Sequence, residues 1–481
     1  MQAFKHLLSG ALIIGSISAS FAQKGHMTLT VHAPNSKNPM VTVTTPVEGY
    51  YFDGNNRHFN LDSSSFYSTQ QIPLDGTSII SVHNDYREAK LIVRPGQRAE
   101  ISFLENGELA IKGENADGQY LYNRITADNT RSRFEELDGS PTVSGRLLKL
   151  DSMRQVDNNA ILTLVNKGNI DPEFTKVLKS ESEMYYRLLW STDLFFTCRP
   201  LVYGEDQSSS KVAPEFVTAW KKMYSDVDED WARSPFFTRL MSRYSSLLSI
   251  GHPREQNNNT PWALTELEKL KPLLKGKLLE CAWANFIILG LRNNENEAIW
   301  LTNFEEFKQQ FPNSKITPIL APALKSVEDY HAKLLIDTPG VIFLENVDYY
   351  TSLKELMKGI KGKFYYVDLW ATWCGPCKAE LQYSIKLHDE LEKVGFTPLY
   401  LSLDNEKADT KWKEMVKGFP LKGLNMRTGE ALHKGINQEV PKFTGIPRYL
   451  IVNDKGDIVN WDALRPSDGT ALIQQLKSYL K

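Results

Sequence analysis

The sequence predicts a multidomain chain with an N-terminal all-β sandwich, a mainly α-helical middle region and a C-terminal α/β domain. Three observations carry this reading. Residues 24–113 form short β-branched runs parted by Gly, Pro, Asn and Asp, and residues 114–336 space their apolar side chains by three and four. Residues 337–481 then alternate strand-like with helix-like segments. A chain of 481 residues also exceeds what one core organises.

The first 22 residues stand apart. "MQAFKHLLSGALIIGSISASFA" has a basic start at Lys5, an apolar stretch from Leu7 to Ile17, and small residues at Ser20 and Ala22. That is the signal-peptide pattern, with cleavage expected after Ala22. The apolar stretch is too short, and too interrupted by Gly and Ser, to anchor the chain in a membrane. No cysteine follows the small residues for lipid attachment, and no later run reaches transmembrane length. The expectation is an exported, soluble protein without stable membrane insertion.

In the strand-rich region, "HMTLTVHA", "MVTVTT", "RHFNL", "TSIISVH", "AKLIVRPG" and "RAEISFLENGELAIKG" predict a small antiparallel sandwich. The Asn-Gly in "FLENGELAI" is a hairpin signal. This region holds no clustered His, Cys or carboxylate set of catalytic appearance. The middle region reads as helices in "EFTKVLKSESEMYYRLLWSTDLFF", "FVTAWKKMYSDV", "FFTRLMSRYSSLL", "LLECAWANFIILGL" and "ALKSVEDYHAKLLI". Its aromatics are expected in the core.

"IDTPG" then breaks the helical pattern. "KFYYVDLW" reads as a buried strand, "CKAELQYSIKLHDELEKVG" as a helix, "FTPLYLSLD" as a strand and "TKWKEMVKG" as a helix. "RYLIVNDKGDIVNW" is a hairpin and "GTALIQQLKSYLK" a closing helix. The order implies a sheet covered by helices on both faces.

Charge excludes little but points away from some partners. With 56 basic against 58 acidic residues, nothing global suggests nucleic acid or anionic lipid. The four cysteines, Cys198, Cys281, Cys374 and Cys377, are too few for a disulfide scaffold. Export makes the tight pair in "WCGPCK" the informative one. A zinc site needs four ligands; Cys198 and Cys281 are isolated, and His388 and His433 lack ligand spacing, so no metal is expected. As a staple, the pair closes a loop too small to remove much chain entropy.

Redox use accounts for more of the details. Cys374 sits at the mouth of a helix that Pro376 can start. Free amide groups and the helix dipole there favour a thiolate, the species that attacks disulfides. Cys377, one turn further in, is placed to resolve the mixed disulfide, and Trp373 to cover the pair on one side. Pro447 stands at the entry to a strand, where a cis bond would leave the Ile446 backbone free to pair with an extended substrate. Asp368 lies in an apolar strand, where a lone carboxylate is costly unless used or paired. The reading favoured is a proton acceptor for Cys377; a partly solvated strand residue is the alternative.

With "VDLWATWCGPCKAE", "LSLD", "TGIPRYLIVNDKG" and "ALRPS", residues from about Asp337 onward resemble the TlpA/ResA-like exported thiol–disulfide oxidoreductases. The resemblance implies a thioredoxin fold. It implies Cys374 as the attacking and Cys377 as the resolving cysteine of a redox-active disulfide. It implies Pro447 as the cis-proline and Asp368 as the buried acid. Glu380, three residues past Cys377, matches the acidic residue the family keeps near its site, although a Glu in a first helical turn also serves the dipole. Gln382 stands where the family's helix often has proline, which leaves a kink there open. The region ending "LAIKGENADGQYLYN" is similar to the N-terminal domain of Bacteroidetes-type members.

That similarity implies a Gram-negative periplasm and a membrane thiol reductase as electron donor. Disulfide-bearing exported proteins are the implied substrates, and cytochrome c maturation is one use of the electrons. The expected activity is protein-disulfide reduction without a cofactor. The alternatives are a disulfide-forming oxidase or isomerase, and a partner-binding protein with an auxiliary redox domain. Copper delivery is disfavoured, since no Met or His lies within the loop.

Overall fold

Alternating apolar residues in the first strands set which side chains turn inward, and Met27, Leu29 and Val31 of the first strand are all fully buried. The computed structural model describes residues 25–480 except 35, 37, 86, 106, 127–132, 134–136, 138–139, 204–211, 252–259, 294–295, 337, 345–348, 361 and 441–443. The segment read as a signal peptide lies outside the described residues. By contacts the chain divides into two compact units. One ends at Leu289 and includes Phe304–Ala321; the other comprises Gly290–Asn303 and the chain from Pro322 onward. The strand-rich region and most of the helical region thus fall in one unit.

In the first unit, β1 (Gly25–His32), β2 (Met40–Thr44), β3 (Asn56–Asn60), β4 (Tyr67–Leu74), β5 (Ser78–Asn84), β6 (Arg87–Val93), β7 (Arg98–Phe103) and β8 (Leu109–Gly113) form two four-stranded sheets. Their orders are β4-β1-β7-β8 and β3-β2-β5-β6, and one apolar cluster draws on both. Two features depart from the sequence reading. β1 runs parallel to β7, because alternation fixes the buried face but not the neighbour or its direction. β4 was unforeseen, since its first five residues are polar or exposed and only Ile72 and Leu74 are buried apolar side chains. The β7–β8 hairpin forms with Phe103 opposite Leu109.

Helices follow: α1 (Ala116–Thr126), α2 (Val143–Asn166), α3 (Pro172–Tyr203), α4 (Pro214–Met223), α5 (Phe237–Leu248), α6 (Trp262–Leu270), α7 (Gly276–Arg292), α8 (Ile299–Gln310) and α9 (Thr317–Leu334). α1 covers the edge strand β6 with side-chain amides. Gln119 bonds both the N–H and C=O of Ile92, at 3.0 and 2.6 Å, and Asn123 those of Lys90, at 2.8 and 2.7 Å. An edge so occupied offers no template for another strand. α2 had no sequence signal because it lacks an apolar stripe: Arg146, Asp157 and Ile161 are its buried residues. Cys198 and Cys281 are buried and unbonded, and burial pushes both thiols up to about 12.

The second unit holds β9 (Val341–Phe343), α10 (Leu353–Gly359), β10 (Phe364–Trp370), α11 (Gly375–Lys393), β11 (Phe396–Ser402), α12 (Asp409–Gly418), β12 (Gly423–Arg427), α13 (Glu430–Glu439), β13 (Arg448–Asn453), β14 (Ile458–Asn460) and α14 (Thr470–Ser478). The sheet order is β14-β13-β10-β11-β12-β9. β10 is central, parallel to β11 and antiparallel to β13. Period-two alternation divides it between two faces. Tyr365, Val367 and Leu369 join α10 and α13 in one core. On the other face, Tyr366 packs with α11 and α14, and Trp370 with α11 and α12. Asp368 shares this second face. The end of α9 also belongs here, with Tyr330 5.8 Å from Phe419.

Candidate active site

The site is built where β10 ends and α11 begins. Cys374 is the N-cap of α11, with extended backbone, and its Sγ accepts the Cys377 N–H at 3.2 Å. Pro376 occupies the first turn, where a missing N–H costs nothing. Cys374 and Cys377 are joined in a disulfide, with Cα atoms 5.3 Å apart. Both are buried, whereas Trp373 next to them is 69% exposed. The helix start points unpaired amides at Cys374, an arrangement that stabilises negative charge on its sulfur once the bond is reduced.

The loop carrying the pair is tied to the neighbouring strand. Thr372 donates its N–H and its hydroxyl to the two oxygens of Asp404, each at 2.8 Å. Ser402, the last residue of β11, adds a third bond to Asp404 at 2.6 Å. Asp404 is buried, so its charge rests on these donors. Sequence reasoning noted "LSLD" without giving Asp404 a task; an acid two residues past a buried strand was the available signal.

Asp368 lies on β10, two residues before Trp370, which packs with both cysteines. In register it stands between Tyr400 of β11 and Tyr449 of β13. Tyr400 and Trp370 share a buried cluster with both cysteines. Asp368 is 2% exposed and neither carboxylate oxygen has a hydrogen-bond partner. Burial, and secondarily the charge of Glu380, hold its carboxyl well above the usual range. The partly solvated alternative is therefore excluded for Asp368. The same burial pushes the Tyr366, Tyr400 and Tyr449 hydroxyls up.

Glu380 is also buried, one turn past Cys377. It accepts two bonds from Ser467, N–H to Oε2 at 3.0 Å and Oγ to Oε1 at 2.9 Å. Ser467 was not singled out from sequence, although it closes the quoted "ALRPS". The Ile446–Pro447 peptide bond is cis. Ile446 is half-buried and packs on the cluster that holds the cysteines. The fold thus gathers Cys374, Cys377 and Ile446, next to Pro447, in one cluster, and sets Asp368 and Glu380 close enough to interact with each other. Among the described residues no group of three or more His, Cys, Asp or Glu is placed to hold a metal ion.

Comparison with known proteins bears on the domain that carries this site. Residues 322–469 match the Redoxin family model. The C-terminal unit carries a Redoxin domain. Its fold is the thioredoxin fold. The domain is similar to "Thiol-disulfide oxidoreductase ResA" of Bacillus thuringiensis subsp. konkukian, 28% identical over 128 residues, which is 26% of this chain and 66% of that protein. A ResA from a strain of Bacillus cereus is 32% identical over 126 residues, with the same coverage. The chain therefore spans just under two thirds of these relatives. Among solved structures, the thioredoxin domain of a thiol-disulfide oxidoreductase from Bacteroides vulgatus is 23% identical, with a TM-score of 0.22 over 26% of this chain and 84% of that one. No helix among the described residues is long and apolar enough to cross a membrane.

Proposed function

We propose that this chain is an exported thiol–disulfide oxidoreductase that reduces protein disulfides. The observation that carries the reading is a Cys374–Cys377 disulfide at a helix N-terminus, in a domain whose central strand carries a buried, unpartnered acid. The names of the ResA relatives support the same class of reaction.

In the reduced protein the Cys374 thiolate attacks one sulfur of a substrate disulfide. A Cys374–substrate bond forms and the other substrate sulfur leaves as thiolate. Cys377 then passes its proton to the Asp368 carboxylate and attacks Cys374. The internal disulfide forms, and the second substrate sulfur leaves. Two electrons move to substrate, and the oxidised pair is the state in the structure. A carboxylate with its proton affinity raised by burial is a better acceptor for a thiol proton than an ordinary one. Trp373, exposed beside the pair, and Ile446, before the cis-proline, receive the substrate chain.

Export is read from residues 1–22, which implies a periplasmic site of action. An oxidising compartment then requires a source of electrons, for which we propose a membrane thiol reductase. Reduction of insulin by the mature protein with dithiothreitol tests the reading, with loss of activity expected in Cys374→Ser. Activity that survives this substitution ends it. The reduction potential of the pair separates a reductase from an oxidase, at about 30 mV per tenfold change in equilibrium.

A further inference from the structure

We propose that Ser467 is a positioning residue for this dithiol chemistry, holding the Glu380 carboxylate beside Asp368 by a two-point grip. The proposal rests on the function given above and assigns a task to a residue outside the reacting set.

Glu380 sits in the second turn of α11, and its charge is buried. A buried carboxylate needs donors. Glu380 has no ion pair among the described residues; its donors are the N–H and hydroxyl of Ser467, 87 residues further along the chain. Ser467 lies in a 3-10 turn, Pro466–Asp468, that is itself fixed. The Arg465 N–H donates to Asp468 at 2.8 Å, and the Leu464 N–H to Gln475 of α14 at 2.9 Å. The Leu464 carbonyl accepts from the Tyr366 hydroxyl at 2.7 Å. Tyr366 is two residues before Asp368 on β10, so the turn is fastened to the strand that carries the acid. Strand, turn and helix thereby close a circuit that sets where Glu380 stands relative to Asp368.

The titratable groups that interact with Glu380 are Asp368 and Tyr366 on β10 and Tyr449 on β13; beyond them, Tyr400 on β11 faces Asp368, Asp468 of the turn faces Tyr366, and Arg465 faces Tyr449. Of these, Asp368 is the other buried carboxyl. The Cys377 proton must move from a thiol to a carboxylate, which for ordinary groups is uphill by roughly 4 to 5 pH units. A negative charge held next to Asp368 raises its proton affinity and narrows that gap. Release of Glu380 weakens Asp368 as a base.

The test uses the full-length protein in single-turnover mixing with a disulfide peptide, following Cys377 attack on the mixed disulfide against pH. Ser467→Ala is expected to lower the plateau rate about threefold to tenfold and move the acid limb to lower pH. Glu380→Gln should do the same. Ser467→Ala added to Glu380→Gln should then change nothing further, and Ser467→Thr should retain the original profile. A Ser467→Ala profile superimposable on the wild type overturns the proposal, as does an effect of Ser467→Ala that persists undiminished beside Glu380→Gln. Should Ser467→Ala not fold, NMR of the unsubstituted protein decides. The Ser467 amide resonance should follow the titration of the Glu380 carboxyl carbon, and an amide that ignores it overturns the grip. A wild type without dithiol exchange overturns the parent reading as well; an active wild type with an unaltered Ser467→Ala overturns this proposal alone.

Discussion

Asp368→Asn exchanges a buried carboxyl for a side chain of the same shape that does not titrate. In the folded protein the acid holds its proton well above the ordinary value of 3.8, because burial penalises the charged form. Once unfolded it loses that proton near 3.8. Below this pH both states are protonated and Asp368 contributes no pH dependence. As pH rises past it, the unfolded state releases a proton that the folded state keeps, so stability falls by about 1.4 kcal/mol per pH unit until the folded pKa is reached. The Asn variant lacks this slope. It should gain on the wild type by that amount for each unit, on top of a constant offset for its own unpaired amide. The chain has two units, so local opening is the right measure. Hydrogen exchange of the β10 peptide, compared between the two proteins at each pH, reads the difference directly. Over the same range, Cys377 attack in the variant should slow by about 100-fold while the first attack by Cys374 stays within about threefold. Stability and rate thus move in opposite directions, as expected of a residue kept for chemistry. A β10 difference that stays flat with pH, or a resolution step as fast as in the wild type, would refute the reasoning.

Two further outcomes follow from the site. Cys377→Ser should trap substrate on Cys374 as a stable mixed disulfide, visible by mass spectrometry, whereas Cys374→Ser should trap none; the reverse pattern exchanges the two roles. Asp404→Ala leaves the Thr372 N–H and hydroxyl without their acceptor. At about 1–3 kcal/mol for a buried unsatisfied group, exchange at the Thr372 amide should accelerate by at least about tenfold, and unchanged exchange there would show that Asp404 does not hold the loop.

What the sequence made legible followed from how strong each local signal was. β10, α11, β11 and β13 were readable because each is a continuous apolar run or a clear helical period bounded by Gly or Pro. β9 and β12 were not, being three and five residues long, with no buried side chain in β9 and Met426 the single buried apolar one in β12. The strand direction between β1 and β7 was invisible because it depends on a partner about 70 residues away. At the site, Cys374 and Cys377 declared themselves by spacing, and Asp368 by being an acid in an apolar strand. Asp404 and Ser467 did not, because each acts through one hydrogen-bonded neighbour that only the folded chain brings near. Glu380 departs from one of its two sequence readings: a carboxylate near a helix start is commonly a surface dipole partner, and here it is buried and gripped.

The C-terminal sheet ends on both sides in three-residue strands, β9 and β14. A margin that brief offers another backbone room for only a bond or two, so the sheet resists growing by the addition of foreign strands. On the function proposed above this has a consequence, because the clients of such a protein would be extended, partly unfolded chains. Such chains are the ones that most readily add to an open edge. With both borders cut short, a client on that proposal would gain little by zipping onto the sheet and would engage instead at its end, where the half-buried Ile446 packs on the cluster of the two sulfurs. Contact there would be local, and a client released after exchange would leave no strand behind.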